Sequence, residues 1–501
     1  MDFSLMERRS TEALSYDVVI VGAGPGGLSS AALLSSATKL SVLIIEKGQE
    51  FEHRSCTCLH PGFCSNQKCD ILSGVGGTAC IYGSKFCGYP SGGALHDIVG
   101  DANVCKAHSE LVSLLDEAPQ DVLSALFASA PREFRLNSVP GGLWKPYPAA
   151  ILHRSEMANF VSSLVNAVRR NGGSLMSDTS VDDIQTLPEG FRLSCRTSSL
   201  GQISVKAKKV IIATGRSGSA WLYRSLKSLG IFSEPSYFDI GIRLEAPASA
   251  LRFFADKYGQ DAKIKFSTSP YQVRTFCVCV GGTLARVSYL GTDYAEGVFS
   301  ESLTEYGNLA LMCRVPVPAG VPCDRTAMES AVNMTAGRGI AAQDLMSFWK
   351  GGTPVMRRPT TITANLESLR SRIPSPILLP LLDGLDRLLK IAPGLVAEET
   401  MVIAPAVDHY WNVFKTDQSF MTKVNHLYLV GDAGGRFRGM LQASWSGIIC
   451  AHEIMRDKNE SVREEVELQD LVFNPSLPHL YERKDPTFVS PGRQFLRKQE
   501  W

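Results

Sequence analysis

Four short segments, 18–21, 42–45, 210–213 and 427–430, are apolar at every position. Runs of this kind predict strands of a parallel sheet, buried on both faces and so lacking polar alternation. Helical spacing of apolar residues follows at 28–34, 155–170 and 441–456, and a mostly helical stretch covers 108–130. Further strands are expected at 174–177 and 179–184, then a hairpin turning near Gly201 that joins 191–195 to 202–207. From Ser236 the pattern changes to longer strands with mixed faces, such as 239–245 and 273–280. The expected class is α/β, with a first domain that is discontinuous in sequence. It comprises 14–235, including a glycine- and cysteine-rich loop at 51–100, and returns with a final strand and helix at 401–456. An α+β domain at 236–400 is inserted between these parts and faces the substrate, and 457–501 is a charged tail over the surface.

The junctions after the apolar strands carry the chemistry. After the first, Gly22 makes a tight turn, Gly24 lets backbone approach a phosphate, and Gly27 lets the next helix pack closely on the strand. Pro25 and Gly26 open that helix, whose N-terminal N–H groups and dipole favour a pyrophosphate. The second strand ends in Glu46, roughly 20 residues further on, where a ribose-binding carboxylate belongs. Ala213, Thr214 and Gly215 form a third strand end with small residues beside a cofactor. At the fourth, Gly431 precedes Asp432, placed to hydrogen-bond a ribityl hydroxyl. In this order and at this separation the pieces describe a Rossmann-like FAD-binding domain. No second glycine triplet follows a mid-chain strand, which argues against a built-in NAD(P) domain.

Composition narrows the class. Net charge is +1, with 44% hydrophobic and 20% charged residues, so no basic field draws nucleic acid or an anionic membrane. No apolar run reaches the about 18 residues of a membrane span. The apolar stretch 373–397 is broken by prolines and aspartates and reads as a buried amphipathic helix. Residues 1–15 lack an apolar core, so no secretory signal is expected, and the 13 cysteines read as reduced thiols of a cytoplasmic protein.

The glycine loop with Glu46, Ala213-Thr214-Gly215 and Gly431-Asp432 resemble the motifs of the glutathione-reductase-like FAD superfamily. Longer strings narrow the resemblance to a family of largely uncharacterised FAD-dependent dehydrogenases. These are Arg54-Ser55-Cys56 to Cys69-Asp70-Ile71, Ser73-Gly74-Val75-Gly76-Gly77, 238–245, 273–282, and Arg438-Gly439-Met440-Leu441 onwards. The resemblance implies cofactor contacts at Lys47, Arg54, Gly76, Gly77, Val181, Met440 and Leu441, besides the motif residues above. Two departures stand out. Thr78 to Lys85 replaces the family's glycine-alanine-glycine and Ser-Asp-Gly-Lys strings, and 403–417 replaces its Glu-x-Arg-Thr-Ser-Ser segment.

Several residues are candidates for the reaction. Cys277 and Cys279, two apart on a strand, point to one face, as a vicinal dithiol or as two small core residues. Arg274 is placed to lower a thiol pKa, to bind a substrate carboxylate, or to make an ion pair. Arg438 is a candidate for charge at the flavin pyrimidine edge. His409, Tyr410 and Trp411 read as an aromatic cluster before the last strand. Cys56, Cys58, Cys64 and Cys69, with Cys80 and Cys87 beyond, fit neither zinc-ribbon nor ferredoxin spacing, so no metal is expected.

The expected function is FAD-dependent oxidoreduction, passing hydride between a small-molecule substrate and flavin N5. Reoxidation would be by oxygen, a quinone or a diffusible NAD(P)H partner. A flavin monooxygenase is the alternative enzyme, and the tryptophan motif of flavin halogenases is missing. A cofactor-free escort protein and an electron carrier with a cysteine-bound iron centre are the competing classes.

Overall fold

A computed structural model describes residues 14–56, 69–78, 80–129, 135–199, 201–300, 303–322, 324–333, 339–408 and 412–456. Cys58, Cys64, His409, Tyr410, Trp411 and the tail from 457 lie outside the described residues.

The apolar runs form the centre of a seven-stranded sheet. Leu14–Val21 pairs in parallel with Val42–Ile45 on one side and with Gly201–Ile212 on the other. Ser174–Met176 extends the parallel part beyond Val42–Ile45, and Leu427–Leu429 joins the far end of Gly201–Ile212. The two strands expected at 202–207 and 210–213 are one continuous strand. Its first half pairs antiparallel with Gly190–Thr197, and its second half lies between the first and last parallel strands. Polar alternation on the hairpin half gives way to a fully buried run, which reads in sequence as two elements.

Helices Pro25–Ala37 and Met440–Arg456 pack on one face with Arg154–Arg170. A Cβ on Gly447 would overlap the Gly26 carbonyl oxygen, so the first and last helices touch backbone to backbone. Against this layer lies a helical pair, Asp101–Ser113 and Glu117–Ala128. His108 is buried there, its ring stacked on Phe127 at 4.0 Å, with Trp445 edge-on at 5.9 Å. Burial pushes its pKa down to about 3, so the ring stays neutral in the fold while the unfolded chain protonates near pH 6.5. Stability should therefore fall on acidification below about pH 6.5, by on the order of 1 kcal/mol per pH unit. His108→Leu should flatten that limb of a urea-denaturation series; an unchanged pH slope would contradict this account.

The second layer is a nine-stranded sheet built around Ser236–Pro247 and Tyr306–Val317. It also recruits Asn137–Val139, Gly142–Lys145 and Met401–Asp408. The sheet thus extends beyond 236–400, because Met401–Asp408 is buried along its whole length and pairs with Ser236–Pro247. Phe238, Ile240, Ile242, Leu244 and Ala246 fill the core beneath helices Ala248–Tyr258 and Ser375–Ile391. The alternate residues Asp239, Gly241, Arg243 and Glu245 therefore stand on the opposite face. The stretch expected to be a buried amphipathic helix is one, with Leu381, Leu385 and Leu388 fully buried. Among the described residues, no helix is long and apolar enough to cross a membrane.

Candidate functional site

Register brings the strand ends together. Val21 is level with Ile45 and Ile212, and Ile212 with Leu429. The next residues are stitched across: Gly22 N–H donates to the Ile45 carbonyl at 2.8 Å, Ala213 to Val21 at 2.8 Å, and Val430 to Ile212 at 3.0 Å. Gly22, Glu46, Ala213 and Gly431 thus line one edge, at the carboxyl ends of parallel strands where ligands bind in such sheets.

The helix starting at Pro25 has Gly24 as its N-cap, no side-chain cap and no acid in its first turn. Its first N–H groups lack intrahelical partners and carry the positive end of the dipole. Gly27 is fixed by packing, since a Cβ there would overlap the Gly22 carbonyl oxygen. Gly24 differs. Its φ of −75° suits any residue, and its Cβ would lie 3.8 Å from the Ala213 oxygen and 4.0 Å from Gly77 Cα. Neither backbone strain nor protein packing requires glycine at that position, which is where a phosphate approaches the backbone in such folds. Among the described residues the buried Thr214 hydroxyl has no hydrogen-bond partner, and it lines the same groove as Val21, Gly22, Glu46, Lys47, Val181 and Trp221. The residues present fit a dinucleotide.

Other expected contacts have different duties. The Glu46 carboxylate accepts from the N–H groups of Ala23 at 2.9 Å, Gly48 at 2.9 Å and Gly74 at 3.0 Å. It ties the glycine loop to the 74 turn, and of about four lone-pair directions one is left for a ribose hydroxyl. Lys47 donates to the Ser217 carbonyl at 3.2 Å. Arg54 is buried and braces the same turn through the carbonyls of Val75 at 2.8 Å and Asp70 at 2.7 Å, so it is a loop anchor. Gly76 N–H donates to the Ala23 carbonyl at 2.8 Å, which places Gly77 against Pro25 and Gly24. Met440 and Leu441 point their side chains into the apolar core, leaving only backbone at the start of the last helix. Gly215 is left-handed at φ +55° and leads into Arg216, and Asp432 sits in a short helical turn before the last helix.

The polar face of the second sheet meets this edge. Asp239 receives a bidentate Arg314, with both bonds 2.9 Å long, and also Arg274, whose Nε lies at 3.0 Å. Arg274 reaches on to Asp408 at 3.1 Å. Asp408 also pairs with Arg438, which follows Gly431-Asp432, and with Arg216 at 3.8 Å. Around these two aspartates stand four guanidiniums, and Arg216 is faced by Glu296 and Asp432 as well. The carboxylates are buried, while Arg314 and Arg438 are 26% and 34% exposed. Arg274 therefore serves the carboxylates and stacks on Phe276 at 4.7 Å, and it is not the cation beside the thiols.

That cation is Lys85, the second residue of a short loop strand, Ser84–Cys87. Its Nζ lies 3.9 Å from Cys277 Sγ and 3.6 Å from Asp261, and donates to the Val278 carbonyl. Cys277 and Cys279 sulfurs are 3.7 Å apart. Alternation alone does not bring them together; a β-bulge does. Phe276 faces Ala310 and Cys279 faces Asn308, so two residues oppose one, and Cys277 takes φ +50°. Cys80 and Cys87 are buried, bonding to the Gly76 carbonyl and to Asp261. Among the described residues no cluster of three ligating side chains is suited to a metal.

Lys85, Asp239, Arg314, Asp408 and Arg216 were not singled out from sequence. The one available signal was Asp239, Arg243 and Glu245 at period two against Ile240, Ile242 and Leu244, which marks a charged sheet face.

Among known proteins, a 44-residue stretch is 54% identical to the mitochondrial electron transfer flavoprotein-ubiquinone oxidoreductase of Oryza sativa subsp. japonica, covering only 8% of either chain. Among solved structures, the chain is similar to a geranylgeranyl bacteriochlorophyll reductase-like protein from Thermoplasma acidophilum. That likeness has 14% identity and a TM-score of 0.37, over 88% of this chain and 78% of that one. It is similar also to aklavinone-11 hydroxylase, solved with FAD and aklavinone, at 13% identity and a TM-score of 0.36 over 89% and 62%. Residues 17–236 match the family model described as FAD dependent oxidoreductase. The chain carries an FAD-dependent oxidoreductase domain over those residues, and FAD is its cofactor.

Proposed function

We propose that the protein passes hydride between an anionic small molecule and FAD, with the substrate seated on the polar face of the second sheet. Bound FAD supplies two-electron chemistry at N5. The observation that carries the reading is the guanidinium cluster, with Arg314 and Arg438 partly exposed, where the 213–216 strand end, the 431–438 segment and this sheet face meet. Arg314 and Arg438, the more exposed of the four, bind and orient a carboxylate, a group whose geometry suits the guanidinium fork. Asp239 and Asp408 hold those forks in place before substrate arrives, and the buried Arg274 between them keeps water out. The strings at 238–245 and 273–282 that resemble FAD-dependent dehydrogenases lie on the two strands that supply Asp239 and Arg274.

The test uses benzoate as a carboxylate probe and benzamide as its neutral counterpart, titrated into the purified flavoprotein while the visible flavin bands are followed. Benzoate should perturb the bands and benzamide should not. Arg314→Leu should weaken benzoate binding by about 10- to 100-fold, the range for a lost charge-assisted bond. Equal responses to both probes, or an Arg314→Leu protein that binds benzoate normally, would remove the anionic-substrate reading.

A further inference from the structure

We propose that Cys277 and Cys279 form a reversible thiol–disulfide couple that exchanges two electrons with small-molecule disulfides, Cys277 being the attacking sulfur and Lys85 its positioning cation. The inference stands on the geometry of these side chains and does not depend on the anionic-substrate reading.

Side chains two apart on a regular strand are separated by roughly 6.6 Å, too far for their sulfurs to bond without moving the backbone. The bulge at 277–278 shortens this to a sulfur–sulfur distance of 3.7 Å. Closure to a disulfide, about 2.05 Å long, then requires a shift on the scale of a side-chain rotation. Cys277 holds a left-handed φ of +50°, uncommon outside glycine and a conformation found preferentially at functional sites.

The two sulfurs are not equivalent. Cys277 is partly exposed and lies 3.9 Å from the Lys85 ammonium, whereas Cys279 is buried. The hydrogen bond from Cys279 holds the Cys277 thiol below its ordinary range against the cost of burial, with Lys85 and Arg243 assisting. The same bond, together with burial, pushes Cys279 up. Burial weakens the Lys85 ammonium, but Cys277, Cys279 and Asp261 more than reverse this, so the cation persists at neutral pH. This is an arrangement for one nucleophilic thiolate and one resolving thiol.

The step balances with a disulfide RSSR as oxidant. Cys277 thiolate attacks one sulfur of RSSR, the S–S bond breaks, and RS⁻ leaves and takes a proton. Cys279 then loses its proton, attacks the Cys277 sulfur of the mixed disulfide, and expels the second RS⁻, which is protonated in turn. Two protein thiols are oxidised to one disulfide, and RSSR is reduced to two RSH.

The experiment equilibrates the full-length flavoprotein in glutathione buffers of graded ratio, quenches with acid, alkylates, and reads the tryptic peptide 275–286 by mass. That peptide carries both cysteines and no other. Oxidising buffers should yield the internally bridged peptide, and dithiothreitol should return two alkylated thiols. Cys279→Ser should accumulate glutathione on Cys277, whereas Cys277→Ser should leave Cys279 unmodified. Lys85→Met should slow Cys277 alkylation at neutral pH by about tenfold and raise the midpoint of its pH profile, with Lys85→Arg restoring both. The proposal fails if both thiols stay alkylatable under full oxidation. It fails equally if the bridge resists dithiothreitol as a structural disulfide would, or if glutathione lodges on Cys279.

Discussion

Gly24→Val should leave a folded protein that no longer retains FAD. Gly24 has an ordinary backbone conformation, and its Cβ would meet no protein atom closer than 3.8 Å, so the fold accommodates a β-carbon there. The change at the helix N-cap costs on the order of 1 kcal/mol, small beside the stability of a domain. The added side chain stands beside the helix N–H groups that would face a bound pyrophosphate. Flavin content should fall to background while the far-ultraviolet circular dichroism stays that of the parent apoprotein. Gly27→Val offers the contrast: its side chain would drive into the Gly22 carbonyl, so folding itself should fail. A Gly24→Val protein that keeps its flavin would show that the phosphate does not lie where the strand ends converge. The escort alternative is disfavoured by the same residue, since a cofactor-free module has no physical need for glycine at that position.

Removing the Asp239 carboxylate should be the most destabilising single change on the polar sheet face. Asp239→Ala leaves Arg274 and Arg314 without their shared counter-charge, and Arg274 is almost wholly buried. Breaking a buried pair from one side costs about 3–5 kcal/mol, and the loss here lies toward the lower end because Arg274 keeps Asp408 at 3.1 Å. The same carboxylate sets a pH signature. Burial raises its pKa, and Arg274 with Arg314 more than reverses this, holding it at about 2 against 3.8 ordinarily. The depressed value means the contribution is fully present above pH 4 and is lost as pH falls toward 2, worth about 2 kcal/mol. Asp239→Ala should therefore lower the urea midpoint at neutral pH and remove part of the acid dependence between pH 4 and 2. A neutral-pH loss below about 1 kcal/mol would mean that the network holds little of the structure together.

The dinucleotide edge was legible in sequence because it is made of local grammar. A buried strand, a glycine turn and a helix occupy 14–37 without reference to distant residues, and the other strand ends repeat the pattern. What was not legible depends on partners far along the chain. Glu46 reads as a ribose ligand, yet one of its three N–H donors is Gly74, 28 residues away. Arg274 lies three residues from Cys277, which suggested a shared site. Its carboxylates come from 35 and 134 residues away, and the thiols find their cation in Lys85, 192 residues before Cys277. The bulge that brings the sulfurs together has no glycine or proline to announce it. The second sheet's borders escaped for a related reason, since Met401–Asp408 looks like any buried strand and only its pairing with Ser236–Pro247 assigns it.

The most direct measurement is anaerobic spectroscopy of the purified chain after incubation with FAD and removal of the excess. The account predicts oxidised flavin bands with FAD equimolar to protein, released on denaturation, absent from Gly24→Val, and perturbed by benzoate in the parent. A parent protein that folds, retains no flavin and shows no bands after reconstitution would contradict it.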